Sequence, residues 1–224
     1  MDFDKVGAQH CCVLRAYITM REFQKSQRRI GLTGGIGTGK TTISNYLAQR
    51  YQLPVLDADI YAREAVQPGS PILNEIFERY GVAVKLPDAT LNRKRLGEII
   101  FNHPDEKQWL EQQIHPYVRD RIQSELDTLI APTVVLVIPL LFEAEMTDLV
   151  TEIWVVSCSP EQQLQRMMTR DRLSLEQAQA RINNQLPLEE KIDRADVVLD
   201  NSSTLEPLLK QVDLLIVGNR VMDT

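Results

Sequence analysis

The sequence predicts an α/β fold: an open, mostly parallel sheet flanked by helices, with further helices inserted between its strands. Three observations lead there. Short β-branched runs recur along the chain at Ile30 to Thr33, Thr133 to Ile138, Ile153 to Ser157 and Val197 to Leu199, as expected of strands covered on both faces. Stretches with helical periodicity separate them, which favours parallel crossovers over hairpins. A glycine-rich turn, Gly34 to Gly39, lies between the first strand and the first helix.

Taken in order, the first strand is followed by that turn, by a helical segment from Lys40 to Arg50 and by a second strand at Pro54 to Leu56, a βαβ opening. From Ala62 to Ala131 no central strand is legible, and helical spacing dominates. Within Pro104 to Leu129, Trp109, Ile114, Val118, Ile122 and Leu126 recur three to five residues apart, the stripe of an amphipathic helix. After the third and fourth sheet strands, Pro160 to Arg194 reads as two short helices. Each begins with a capping box, Ser159 with Gln162 and Ser174 with Gln177, and Pro160 takes the first helical position of the first. Such an excursion between core strands has the form of a lid. There is no internal repeat or low-complexity segment.

Composition sets outer limits. The chain has 224 residues, 43% of them hydrophobic and 25% charged, which suits one domain with insertions. A formal net charge of -6 argues against nucleic acid or an anionic membrane as a general partner, since both require a broad basic field. The longest apolar run, Val134 to Phe142, is broken by Pro139 and falls short of the roughly 20 residues that span a bilayer. Cys11, Cys12 and Cys158 have neither metal-ligand spacing nor an even count for disulfides. A cytoplasmic location is expected. Residues 1–28 carry no signal-peptide core and are expected to form an extension, with Met20 as an alternative start.

Gly34-Gly35-Ile36-Gly37-Thr38-Gly39-Lys40-Thr41 fits the phosphate-binding loop pattern at every required position, and strand before and helix after supply its context. Gly34, Gly35, Gly37 and Gly39 are expected to take positive φ and bring backbone N–H groups around phosphate oxygens. Lys40 is expected on the β- and γ-phosphates and Thr41 on Mg²⁺, with the helix N-terminus adding positive potential. The guanine-reading Asn-Lys-x-Asp element is missing, since Glu190-Lys191-Ile192-Asp193 lacks the Asn, and Pro139 stands where motor ATPases carry an acid at the end of a strand. These features point away from switch GTPases and motors and toward a kinase.

The acidic pair Asp57-Ala58-Asp59 follows the second strand, at the sheet edge where ligands of such folds bind. One carboxylate is suited to accept a hydroxyl proton while the other orients it or holds a metal-bound water; the alternative is a helix N-cap beside a solvated acid. Arg166, Arg170 and Arg172 form a local basic cluster in the candidate lid, fit to neutralise a transferring phosphoryl group. Their alternative is a solvated face paired with Glu161 and Asp171.

The set Leu32 to Thr42, Leu56-Asp57-Ala58-Asp59 with Arg63, Ile114-His115-Pro116, Pro139 to Glu143 and Asp200-Asn201 closely resembles the dephospho-coenzyme A kinase family, from about Arg29 to Val217. The resemblance implies a P-loop NTPase fold with a core of residues 29–61, 132–159 and 195–217, a helical acceptor lobe at 62–131 and a lid at 160–194. It implies ATP and Mg²⁺, with transfer of the γ-phosphate to the ribose 3′-hydroxyl of dephospho-coenzyme A. Gly35, Gly37, Thr38, Gly39, Lys40, Thr41, Thr42 and Asn201 then bind the nucleotide, with Asn201 beside the adenine. Asp59 is implied as the base and Arg170 as the lid arginine that acts with Lys40 in catalysis. Asp57, Arg63, His115 and Glu143 fall on the acceptor side, where His115 reads equally as a buried structural histidine. The competing readings are another small-molecule kinase of the same fold and a nucleotide-sensing module without chemistry.

Overall fold

A computed structural model describes residues 27–218, so the expected extension and Met20 lie outside the described residues, except that Gln27 and Arg28 already belong to the fold. Gln27 is buried and donates to the carbonyl of Ala131 at 2.9 Å. Five parallel strands, β1 (Arg28–Gly34), β2 (Val55–Asp57), β3 (Thr133–Val137), β4 (Glu152–Ser157) and β5 (Val197–Asp200), make one sheet in the order β2-β3-β1-β4-β5. The central strand β1 pairs Leu32 with Val137 on one side and with Trp154 on the other.

The pleat explains why these strands read as continuous apolar runs. In β3, Val135 and Val137 point to one face, where Ile43 and Leu47 of α1 (Lys40–Tyr51) and Leu208, Val212 and Ile216 of α9 (Leu205–Gly218) cover them. Val134 and Leu136 point to the other, against Val118, Ile122 and Leu126 of α5 (Pro104–Thr128) and Tyr61 of α2 (Ala58–Glu64). Successive residues of a strand face opposite sides, so a sheet covered on both faces has no polar positions to alternate with. The stripe of α5 predicted from spacing is the one that docks, although Pro116 inside the helix removes one backbone donor.

The segment after α2 folds as helices, α3 (Pro71–Tyr80), α4 (Arg93–Asn102) and the first half of α5, around a core of Ala65, Leu73, Ile76, Leu96 and Leu110. Between β4 and β5 both capping boxes form, opening α6 (Pro160–Asp171) and α7 (Leu175–Asn183). A third helix, α8 (Leu188–Asp193), follows where only two were expected. It has six residues and no side-chain N-cap, so neither periodicity nor capping chemistry announces it; burial of Lys191 holds it in place. No helix among the described residues is long and apolar enough to cross a membrane.

Candidate active site

Most of the sequence motifs converge because they stand at the carboxyl ends of the strands, whereas Ile114-His115-Pro116 lies within α5. The glycine loop leaves β1, Asp57 and Asp59 follow β2, Pro139 to Glu143 follow β3, α6 follows β4 and Asn201 follows β5. In an open parallel sheet this edge is where ligands bind.

Three of the loop glycines take the left-handed region, Gly34 at φ 137°, Gly37 at φ 79° and Gly39 at φ 107°. Gly35 does not, contrary to expectation; it is small for a different reason, since a Cβ there would lie 2.5 Å from Gln163 Nε2. Thr38 is buried, and its hydroxyl donates to the Gly35 carbonyl at 2.9 Å, so the loop is braced internally. Lys40 Nζ donates to the carbonyls of Gly34 and Gly35 at 2.9 and 2.8 Å. Burial, and then the charge of Lys191, push the Lys40 ammonium down to about 8, against the raising effect of Asp59.

The loop is also gripped from outside. Gln163 of α6 donates to the Ile36 carbonyl at 2.7 Å, and Gln185, between α7 and α8, accepts from the Ile36 N–H at 2.9 Å. Asn201 donates to the Thr38 carbonyl at 2.7 Å, while Arg166 Nη2 donates to the Asn201 carbonyl at 2.9 Å. The segment between β4 and β5 is thereby fastened to the phosphate loop at several points. Gln163 and Gln185 were not found from sequence. Neither carries a motif, and polar residues in helical segments read as solvated.

A cavity of about 890 Å³ opens over the loop, lined by Gly37, Gly39, Lys40, Thr41, Thr42, Asp59, Arg166 and Arg170. A second, apolar cavity of about 170 Å³ is lined by Asp59, Leu110, Ile114, His115, Val118 and Ile138. Asp59 therefore lies on the boundary between a cationic chamber and an apolar one. Burial raises its carboxyl above the usual range, Asp57 adds to the shift, and Lys40 and Arg63 oppose it. Asp57 is the N-cap of α2, its Oδ1 accepting from the Asp59 N–H at 2.9 Å. It lines neither cavity.

His115 is half-buried, and burial pushes its imidazole below the usual value. Arg170 is fixed by two 2.8 Å hydrogen bonds to Asp171, while Arg172 sits in the left-handed region at the end of α6 and does not line the larger cavity. Glu143 is engaged by the fully buried Lys191 at 2.8 Å and by the Leu186 N–H at 3.0 Å. Lys191 also donates to the Pro139 carbonyl at 3.0 Å. From the sequence it entered only as part of Glu190-Lys191-Ile192-Asp193, the stretch that lacks the guanine-reading Asn.

The donor set suits a nucleotide with Mg²⁺. Positive-φ glycines, Lys40 and two arginines face one chamber, with Thr41 and Asp59 on its wall. Mg²⁺ usually takes one or two protein ligands and completes its shell with phosphates and water, and Thr41 and Asp59 offer oxygen donors on this wall.

A parallel sheet whose first strand feeds a phosphate-binding loop, with a carboxylate and arginines lining the same chamber, defines a P-loop kinase. The family model described as dephospho-CoA kinase matches residues 28–206. The dephospho-CoA kinase of Trichormus variabilis is 64% identical over 191 residues, covering 85% of this chain and 97% of the relative. Among solved structures, that of TT1252 from Thermus thermophilus aligns with a TM-score of 0.74 at 35% identity, over 86% of this chain and 97% of the other. The dephospho-CoA kinase from Campylobacter jejuni aligns at 0.62 and 30%, over 85% and 98%. The chain belongs to the dephospho-CoA kinase family.

Proposed function

We propose that this protein transfers the γ-phosphoryl group of ATP to the ribose 3′-hydroxyl of dephospho-coenzyme A, giving coenzyme A and ADP, the last step of coenzyme A synthesis. The observation that carries the reading is Asp59, which lines both the chamber over the phosphate loop and the apolar cavity beside it. An acceptor entering from the apolar side meets the nucleotide at this carboxylate.

The loop amides and Lys40 hold the β- and γ-phosphates, and Asn201, fastened to the Thr38 carbonyl, borders the adenine. Thr41 would hold Mg²⁺, which would neutralise charge on the phosphates. Asp59 accepts the proton of the attacking hydroxyl, whose oxygen forms the new P–O bond as the bond to the ADP oxygen breaks. Its raised pKa makes it a stronger base than an exposed aspartate. Asp57 holds Asp59 in place through the N-cap. Arg170, with Arg166 on the same chamber wall, faces the equatorial oxygens, where charge is spread in the transition state. Residues 62–131 act as the acceptor lobe, with His115 and Arg63 on its wall, and residues 160–194 act as the lid. Glu143 serves the acceptor side indirectly, through the Lys191 contact that fixes the loop after β3. A cytoplasmic enzyme without nucleic-acid or membrane partners fits this role.

The test is a panel of acceptors with ATP and Mg²⁺: dephospho-coenzyme A, adenosine, AMP, shikimate and gluconate. Dephospho-coenzyme A is expected to give by far the highest kcat/KM; equal or better use of another acceptor overturns the reading.

A further inference from the structure

Gln185, between α7 and α8, holds the phosphate loop by one half of its side-chain amide: Oε1 accepts from the Ile36 N–H at 2.9 Å. A backbone N–H only donates, so the oxygen is the half that faces the loop and the Nε2 amino group is turned away from it. The same peptide unit is held at its other end, where the Gly35 carbonyl accepts from Lys40 Nζ at 2.8 Å and from the Thr38 hydroxyl at 2.9 Å.

Gln185 Nε2 has no acceptor among the described residues. It is not sealed in either, because the one enclosed side-chain polar atom without a partner among those residues is Arg28 Nη2. Gln185 is partly buried and lines the 890 Å³ chamber beside Ile36, Lys40 and Arg170. Gln163 differs: its Nε2 is committed to the Ile36 carbonyl at 2.7 Å, and it does not line the chamber. Two glutamines thus brace one loop residue from either side, and Gln185 alone of the two keeps a donor open to the nucleotide. A donor fixed in advance in a partly dry wall needs no rearrangement when charge develops in front of it, and its bond to an anionic oxygen is stronger than one to a neutral acceptor.

We propose that Gln185 Nε2 donates to an oxygen of the γ-phosphoryl group of ATP, which makes Gln185 a catalytic residue as well as a brace of the loop. The inference rests on the reading above that puts the β- and γ-phosphates at Lys40, and it is independent of the acceptor. The β-phosphate is enclosed by the loop amides. A side chain arriving from the lid, on the wall that carries Arg170, therefore meets the terminal phosphoryl group, whose oxygens carry the spread charge of the transition state.

The experiment compares Gln185→Leu, Gln185→Glu and Gln163→Leu by kcat, by melting temperature and by calorimetric affinity for ADP and for the β,γ-imido analogue of ATP, all with Mg²⁺. Gln185→Leu removes brace and donor, Gln185→Glu keeps an acceptor for the Ile36 N–H but has no donor, and Gln163→Leu removes a brace alone. Loss of a hydrogen bond to a charged group predicts that kcat falls roughly 10- to 100-fold in both Gln185 variants. Gln185→Glu melts with wild type. Gln185→Leu loses affinity for the triphosphate analogue and keeps that for ADP within a few-fold, while Gln163→Leu melts earlier and loses far less kcat. Recovery of kcat in Gln185→Glu, equal losses of ADP and triphosphate affinity in Gln185→Leu, or a kcat loss in Gln163→Leu as large as in Gln185→Leu reduces Gln185 to a brace and overturns the proposal. Wild-type protein that binds neither nucleotide removes the phosphate-loop reading and the donor together, whereas indifferent Gln185 variants remove the donor alone.

Discussion

Lys191 and Glu143 form an ion pair in which Nζ lies 2.8 Å from Oε1, the lysine wholly enclosed and the glutamate partly so. With the bond from Nζ to the Pro139 carbonyl, the pair ties α8 to the loop after β3 and sets a second cation near Lys40. Breaking a buried pair strands the remaining charge, so Lys191→Met should cost about 3 kcal/mol, the low end for such pairs because Glu143 keeps some water. Lys191→Met combined with Glu143→Leu should recover much of that loss. Denaturant titration of the single and double variants measures it; no recovery in the double variant would mean that packing around the lysine stem, rather than the charge pair, carries the stability.

Lys40 predicts an alkaline limb. Burial pushes its ammonium down to about 8, and phosphate oxygens hold it protonated in the complex. Raising pH through 8 therefore removes a charge that ATP must restore by proton uptake. The expected profile is kcat/KM for ATP falling above about pH 8 while kcat stays level, since the first reports the free enzyme and the second the complex. Lys40→Ala should lower phosphoryl transfer by several orders of magnitude, the contact being worth roughly 3 to 4 kcal/mol or more.

Asp59 sets the acid limb and a stability trade. Its folded pKa is raised, so between the unfolded value and the folded one the native state binds the extra proton, and stability falls as pH rises through that window. Above it the ionised carboxylate is a net cost. Asp59→Asn should therefore lower kcat strongly, leave ATP affinity within a few-fold, and melt at pH 7 no earlier than wild type. Asp57→Asn should be milder in kcat, because asparagine also caps helices well, whereas Asp57→Ala should cost about 1 kcal/mol of stability. A larger kcat loss for Asp57→Asn than for Asp59→Asn would move the base assignment.

Two loop glycines separate backbone strain from crowding. Gly39 has φ 107° and would drive a Cβ into Asn201 Nδ2, while Gly35 has ordinary φ and would meet the end of the Gln163 side chain and, at 3.3 Å, the Thr38 methyl group. Gly39→Ala should cost stability by about 1 to 2 kcal/mol from the left-handed conformation alone. Gly35→Ala should leave melting nearly unchanged but loosen the hold of α6 on the loop. Equal destabilisation by the two would refute this division.

The sheet and the phosphate loop were legible because local rules suffice for them. β-Branched runs mark strands buried on both faces, and a strand, a spaced set of glycines and Lys40 mark the cradle. Ser159 and Ser174 announced α6 and α7 by capping chemistry that tertiary contacts do not alter. What was not legible depends on contacts distant in sequence. Lys191 is buried only because Glu143 and Pro139 meet it, and α8 exists around that burial. Gln163 and Gln185 grip Ile36 across 127 and 149 residues of chain, and the same packing brings Gln163 close to Gly35. The hydrogen bond from Arg93 to the Arg63 carbonyl joins two helices 30 residues apart. Spacing rules do not reach so far.

The central claim, that the boundary at Asp59 is where ATP meets the ribose 3′-hydroxyl of dephospho-coenzyme A, is tested most directly by following the label from γ-³²P-ATP and locating it in the product. The account predicts label in coenzyme A as a 3′-phosphomonoester, formed with Mg²⁺ and lost in Asp59→Asn. Label released only as inorganic phosphate, or attached at another position of the acceptor, would contradict it.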